Sequence, residues 1–266
     1  MIFDIITIFP DFFDGFLKNG VIARALSKNN GIKINVINLR DFAEGPHRIT
    51  DDRPFGGGPG MVMMPEPIYQ ALKSALPERF GRRKNLSCGT KRRTSHDARV
   101  ILLSPQGTRF NHDEAKRLAR YKHLVFICGR YEGVDERIMD FVDEELSIGD
   151  FVISGGEPAA MVVIDAIARL IDDGKVVKER SSVENDSFYS GPFLDCPHYT
   201  RPAVWRSRKV PSVLLSGNHK KIEDWRKKQA ILNTRKKRPD LFACIMNKGI
   251  GSGKERKQNF LNNINY

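Results

Sequence analysis

Three stretches of this chain set glycine beside short apolar runs: Leu103–Gly107 (LSPQG), Gly129–Gly133 (GRYEG) and Ile148–Gly156 (IGDFVISGG). Leu124–Cys128 and Phe151–Ile153 read as short buried strands that end at such turns. Glycine lets a backbone approach a ligand closely. In open α/β sheets, ligands collect at the carboxyl ends of the strands. Three such turns, one stiffened by Pro105, point to a small-molecule pocket, against the plainer reading in which each glycine only serves its turn. None of them carries G-x-G-x-x-G, and Gly56–Gly60 lacks the lysine and threonine of a phosphate-binding loop, which disfavours a nucleotide hydrolase.

Asp186 sits in ENDSF within a polar linker, where a catalytic carboxylate is the weaker reading. Its plainer reading is an Asx-turn or a helix N-cap. Arg169 closes an apolar helical pattern, where an arginine normally snorkels or pairs with a carboxylate such as Asp165 four residues earlier. Further on, Cys196–Pro202 (CPHYTRP) with Trp205, Arg206, Arg208 and Lys209 could hold phosphates and stack bases; a packed surface loop is the alternative. Ser216–His219 precedes a helical pattern bearing Lys220, Lys221, Arg226, Lys227 and Lys228, so cations stand beside a helix N-terminus.

The elements that must position these groups follow from periodicity. Strands are expected at Ile2–Phe9, Ile32–Leu39, Arg99–Leu103, Leu124–Cys128 and within Glu144–Ile153. Helices are expected at Phe12–Lys28, Glu66–Leu76, His112–Tyr121 (with Asn111 as N-cap), Pro158–Ile171 and Ile222–Leu232, with a turn at Arg235–Asp240 leading to a short last helix. Asp41–Pro65 reads as a long glycine-centred loop, Pro77–Ala98 as a mobile basic loop, and Asn247–Tyr266 as a frayed polar tail. This alternation predicts an α/β fold, a mostly parallel sheet with helices on both faces. The expected division is 1–174 for the α/β domain, 175–190 for a linker, 191–246 for a small helical domain and 247–266 for the tail.

The formal charge is +12, and all of it lies late in the chain. Met1–Gly174 has 24 Lys/Arg against 24 Asp/Glu, whereas Lys175–Tyr266 has 20 against 8. A neutral first part beside a basic last third predicts that one part holds a ligand and the other grips a polyanion. The four cysteines (Cys88, Cys128, Cys196, Cys244) are scattered, which argues against a zinc site or a disulfide framework and for a reducing cytoplasm. Cys128 reads as a plain core residue. No apolar run reaches the roughly 18–20 residues of a membrane span, and the acidic N-terminus reads as a strand and turn, not a signal peptide.

PHRITDDRPFGGGPGMVM, LLSPQG, ICGRYEGVDERI, SIGDFVISGGE, NDSF, LDCPHYTRP and VPSVLLSGNHKKIEDWR occur in one order. Together they resemble the bacterial tRNA (guanine-N1)-methyltransferases, from about Ile2 to Phe242. The resemblance implies a C-terminal trefoil knot in the α/β domain (the SPOUT class), S-adenosylmethionine as methyl donor, a homodimer, Mg2+ in the reaction, and a helical domain that holds tRNA. It carries cofactor binding onto Leu103, Ser104, Pro105, Gln106, Gly129, Tyr131, Glu132, Ile148, Gly149, Asp150, Phe151, Val152, Ile153, Gly155 and Gly156. It carries the general base onto Asp186 and the substrate-activating arginine onto Arg169. Departures from the family pattern are Asn185 before the aspartate, Asp172-Asp173-Gly174 after the arginine helix, and a longer, more basic 77–98 segment. A related knotted enzyme acting on ribosomal RNA or another tRNA base, and an RNA-binding protein without catalysis, are the competing readings.

Overall fold

Alternation along the strands sorts the apolar side chains onto two faces. In β1 (Ile2–Thr7), Phe3 and Ile5 face one way and Ile6 the other. In β6 (His123–Cys128), Leu124, Phe126 and Cys128 oppose Val125 and Ile127. β5 (Ala98–Arg109) divides likewise, Ile101 and Leu103 against Val100 and Leu102. Strands apolar on both faces need cover on both, as parallel sheets do. With β2 (Lys33–Asn38) and β7 (Glu144–Ser147) they form a five-stranded sheet, ordered β2-β1-β6-β5-β7, every neighbouring pair parallel. The computed structural model describes residues 1–27, 31–80, 97–171, 186–189 and 191–248.

On one face lie α1 (Asp14–Lys18), α2 (Gly20–Ser27), α5 (His112–Leu118) and α6 (Glu157–Ala168), packed on Phe3, Phe126 and Ile101. The other face is covered chiefly by α3 (Pro65–Ala75), whose Ile68, Ala71 and Leu72 are fully buried. Asn111 caps α5 as expected, its side-chain oxygen accepting from the backbone of Asp113 at 2.9 Å and Glu114 at 3.0 Å.

Several expected boundaries move for physical reasons. The single helix expected at Phe12–Lys28 is broken, because Asn19 is extended between α1 and α2 and a 3-10 turn (Pro10–Phe13) precedes them. The glycine-centred loop contains a two-stranded ribbon, β3 (Asp51–Asp52) against β4 (Val62–Met63). Pro77–Phe80 is one helical turn, α4, rather than the start of a mobile loop; 81–96 lie outside the described residues. β5 does not stop at Leu103. Its register against β7 jumps between Leu103 and Thr108, so Ser104–Gly107 bulges out of the ladder and the strand resumes to Arg109. Phe151–Ile153 is no buried strand: Val152 is 85% exposed, and the last strand ends at Ser147. Three apolar residues after a glycine turn are too few to hold a place in the core.

The chain divides into two compact units, Met1–Glu179 and Arg180–Tyr266. In the second, α7 (His219–Lys237) and α8 (Pro239–Lys248) follow a hairpin of β8 (Val204–Trp205) and β9 (Arg208–Lys209) that periodicity did not reveal. Helix α7 extends through the turn expected at Arg235. Asn218 caps it, accepting from the Lys221 backbone at 3.0 Å. Buried Thr234 ties it inward: its hydroxyl donates to the Ala230 carbonyl at 2.8 Å and accepts from the Leu194 backbone at 2.9 Å. Most of the expected linker (175–185 and 190), with Asn185, and the tail from 249 lie outside the described residues, as do Asp172–Gly174 before it.

Candidate active site

β6, β5 and β7 are neighbours, so the turns after β6 and β7 and the bulge within β5 are brought together. Between them lies a cavity of about 300 Å³. It is lined by Leu102–Gln106 at and before the β5 bulge, Gly129–Val134 after β6, and Glu145–Gly149 with Phe151–Gly156 from the end of β7 and the turn beyond it. Glu136, Met139 and Ala159 complete the wall. The β6 and β7 turns are joined by the Gly156 backbone N–H, which donates to the Gly129 carbonyl at 2.9 Å. The glycine-rich segment before α3 is laced to the β6 turn. Glu132 N–H donates to Met61 O at 3.1 Å and Met63 N–H to Gly133 O at 2.9 Å.

Of the fifteen residues expected to hold the cofactor, fourteen line this cavity. Asp150 does not; its carboxylate is exposed and pairs with Arg109 on the surface. Apolar residues (Leu102, Leu146, Val152) stand among glycines and the acidic residues Glu132, Glu136 and Glu145 along the lining. That combination suits a ligand having an apolar ring, hydrogen-bonding groups and positive charge. Cys128, fully buried beneath it, has its thiol pushed well above its ordinary value by burial and by Glu157 nearby. It is protonated core, not a nucleophile.

Sequence reasoning placed Arg130 inside the Gly129–Gly133 turn without giving it a role, and passed over Glu157. Arg130 lines the cavity and donates from Nε to the fully buried Glu157 at 2.9 Å. A carboxylate at the start of an otherwise apolar helix was the available signal, since a buried charge requires a partner.

Arg169 is half-buried at the C-cap of α6, its backbone N–H on the Asp165 carbonyl at 3.2 Å. The helix ends at Ala168, short of Ile171. Asp186 belongs to the second unit, half-buried in a turn over 186–189. That turn is anchored by its neighbours. Ser187 Oγ accepts from Asp195 N at 2.9 Å, and Phe188 N–H donates to Phe193 O at 2.9 Å. In the same unit Arg201, Trp205, Arg206, Arg208, Lys209, Lys220, Lys221, Arg226 and Lys227 are exposed, while Lys228 is half-buried.

Among the described residues, one cluster brings three side-chain ligand atoms together, Asp195, Cys196 and His198, within 4.8 Å of one another. Its polar atoms are already engaged, His198 Nε2 with Asp195 Oδ2 at 2.7 Å.

Residues 1–244 match the family tRNA (Guanine-1)-methyltransferase TrmD. The chain is 50% identical over 239 residues to the tRNA (guanine-N(1)-)-methyltransferase of Endomicrobium trichonymphae, covering 90% of this chain and 98% of that protein. The protein of the same name from Thermosipho africanus is 49% identical over 238 residues, covering 90% of this chain and 88% of its own. That of Geobacter sulfurreducens is 48% identical over 243 residues, covering 91% of each.

Proposed function

The chain belongs to the tRNA (guanine-1)-methyltransferase family, and on that premise we propose that it methylates N1 of the guanine 3′ to the anticodon, position 37 of tRNA. The methyl donor is S-adenosylmethionine. The fold is the α/β class with a C-terminal trefoil knot. The observation that carries the reading is the convergence of the three glycine-bearing turns on one cavity. Its volume, its glycine-bearing turns and its acidic lining residues fit a ligand of the donor's size and charge.

When bound, the donor supplies an electrophilic methyl carbon on a positively charged sulfur. The turns hold that carbon in line with its target, which lowers the entropic part of the barrier. N1 of neutral guanine carries a proton and is a poor nucleophile. Asp186 accepts that proton as general base. Loss of the proton drives negative charge onto O6, and the Arg169 guanidinium stabilises it there. The protein acts as a homodimer, with Asp186 of one protomer serving the cavity of its partner. The exposed cations of the second unit grip tRNA phosphates, and Trp205 and Tyr199 offer faces for stacking.

Mg2+ is proposed to accompany the reaction. The described residues do not form a cage for it: Mg2+ takes hard oxygen ligands, and the three-ligand cluster at Asp195 includes a thiol. No step is routed through the ion. No helix among the described residues is long and apolar enough to cross a membrane. We place the enzyme in the cytoplasm, where tRNA is.

Incubation with unmodified tRNA and methyl-labelled donor tests the proposal. Label mapped to N1 of the guanine 3′ to the anticodon is expected. Label at another nucleotide would refute the target; no donor binding by calorimetry would refute the enzyme.

A further inference from the structure

The Ile148–Gly156 turn has little packing of its own, with Phe151, Val152 and Ile153 55%, 85% and 39% exposed. Yet it forms a full wall of the cavity. Arg109 pairs with Asp150 on its exposed side and the Ser147 hydroxyl bonds Gly149, while Arg130 fastens its far end, Ser154–Gly155, to the β6 turn. Arg130 Nη1 donates to the Ser154 carbonyl at 3.1 Å, and the backbones of Arg130 and Gly155 form an antiparallel bridge.

The guanidinium is itself held from three directions. Nε donates to Glu157 Oε2 at 2.9 Å. Glu157 is fully buried, and its other oxygen accepts from the Thr7 hydroxyl at 2.6 Å. That hydroxyl in turn accepts from the Phe9 backbone at 3.0 Å. The rings of Phe9 and Phe12 lie 4.5 and 5.8 Å from Arg130 Cζ, a cation–π cover. One planar fork thus ties the ends of β1, β6 and β7 to the first turn of α6. A lysine would keep the charge but has a single nitrogen and could not reach Glu157 and Ser154 in the same way. Gly155 is shaped to this fork. A Cβ built there would lie 2.1 Å from Arg130 Nε and 2.5 Å from Cζ.

We propose that Arg130, set by Glu157 and Thr7, is a positioning residue that holds the Ile148–Gly156 turn in the shape that receives the methyl donor. This rests on the reading of the cavity as the donor pocket. Arg130 acts through the backbone of that turn and takes no proton in the reaction.

The test uses full-length protein, S-adenosylmethionine and tRNA, with donor Kd measured by calorimetry and KM and kcat for each substrate. Arg130→Lys keeps a cation beside Glu157. Gly155→Ala keeps every charge but displaces the guanidinium. Each is expected to raise the donor Kd and KM about tenfold or more, the scale of losing one charge-assisted hydrogen bond's worth of order. Donor-saturated kcat should fall less than KM rises, and tRNA affinity should stay as in the wild type. A purely structural role would lower the melting temperature without this split. Donor Kd unchanged in a folded Gly155→Ala protein would overturn the proposal. So would an unchanged donor KM with a collapsed kcat, which would put Arg130 on the reacting atoms. If Arg130→Lys does not fold, Gly155→Ala decides alone. Wild-type protein that fails to bind the donor would refute the pocket reading itself, an outcome distinct from all of these.

Discussion

Gly156 packs closely on the backbone behind the cavity, and its replacement by alanine can be worked through. Gly156 has φ −75° and ψ −12°, a conformation alanine adopts without strain, so only space is at issue. A Cβ there would lie 2.7 Å from Cys128 Cα, 3.1 Å from Gly129 N and 3.2 Å from Cys128 C. Carbon atoms prefer about 3.5–4.0 Å. All three obstacles are backbone, so no rotamer relieves them, and the Gly156–Gly129 hydrogen bond resists separation. Either α6 must move off the sheet or β6 must bend. Overpacking of this kind costs about 1–3 kcal/mol. For a unit of this size that lowers the melting temperature by about 2–12 °C. Gly15→Ala supplies the opposite sign in the same protein. Gly15 lies in α1, with nothing within 4 Å of a built Cβ. Filling it should gain about 0.5–1 kcal/mol from helix propensity and reduced unfolded-state freedom. The assay is thermal denaturation at fixed protein concentration, since the midpoint of the proposed dimer would move with concentration. Gly129 lines the cavity, so Gly156→Ala should also weaken donor binding. A Gly156→Ala protein that melts at or above wild type would show that the strand end yields freely and that the close approach of α6 to β6 is not a constraint.

Asp186→Asn should bind tRNA and donor as the wild type does while turnover falls by about 10²–10⁴, the usual contribution of a positioned general base; single-turnover rates near wild type would remove Asp186 from that role. The tRNA affinity should drop at least about tenfold between roughly 50 and 200 mM salt if several phosphates are neutralised, and a flat response would reject phosphate gripping by the second unit. Thr234→Val leaves the Leu194 N–H without its 2.9 Å acceptor and should cost about 1–3 kcal/mol. The chain's two tryptophans, Trp205 and Trp225, both lie in the second unit, so urea unfolding followed by their fluorescence reads that loss directly; an unshifted midpoint would mean solvent replaces the bond.

Much of the first unit was legible because its signals are local. Parallel strands buried on two faces must be apolar along their length, as Ile2–Thr7 and His123–Cys128 are. Asn111 before a run of helix formers marks a cap that local hydrogen bonding satisfies. What escaped depends on distant partners. The β5 bulge exists because Leu146 pairs with both Leu103 and Thr108, which nothing within LSPQG announces. The hairpin at Val204–Lys209 turns through Arg206 and Ser207 at φ 45° and 64°, where neither residue is the glycine or asparagine such a turn favours.

The site divides along the same line. Glycine-bearing turns after strands are a local pattern, and topology does the rest, because adjacent parallel strands put their ends side by side. That logic finds the walls of a cavity but not what holds them in shape. Arg130 and Glu157 are 27 residues apart, and Thr7 is 150 residues from Glu157; no periodicity relates such positions. The missing clue was a mismatch. Glu157 opens α6, where an acid favours the helix dipole, yet it is followed by Pro-Ala-Ala-Met-Val-Val-Ile and ends up without solvent exposure. A carboxylate in that setting must be ionised and paired or else protonated, so a buried cation had to come from somewhere in the fold. Among the arginines beside the glycine turns, only one stands inside a turn that an adjacent buried strand delivers to the amino end of α6, and that is Arg130. An acid that opens an apolar helix and is itself fully buried calls for such a cation in any fold.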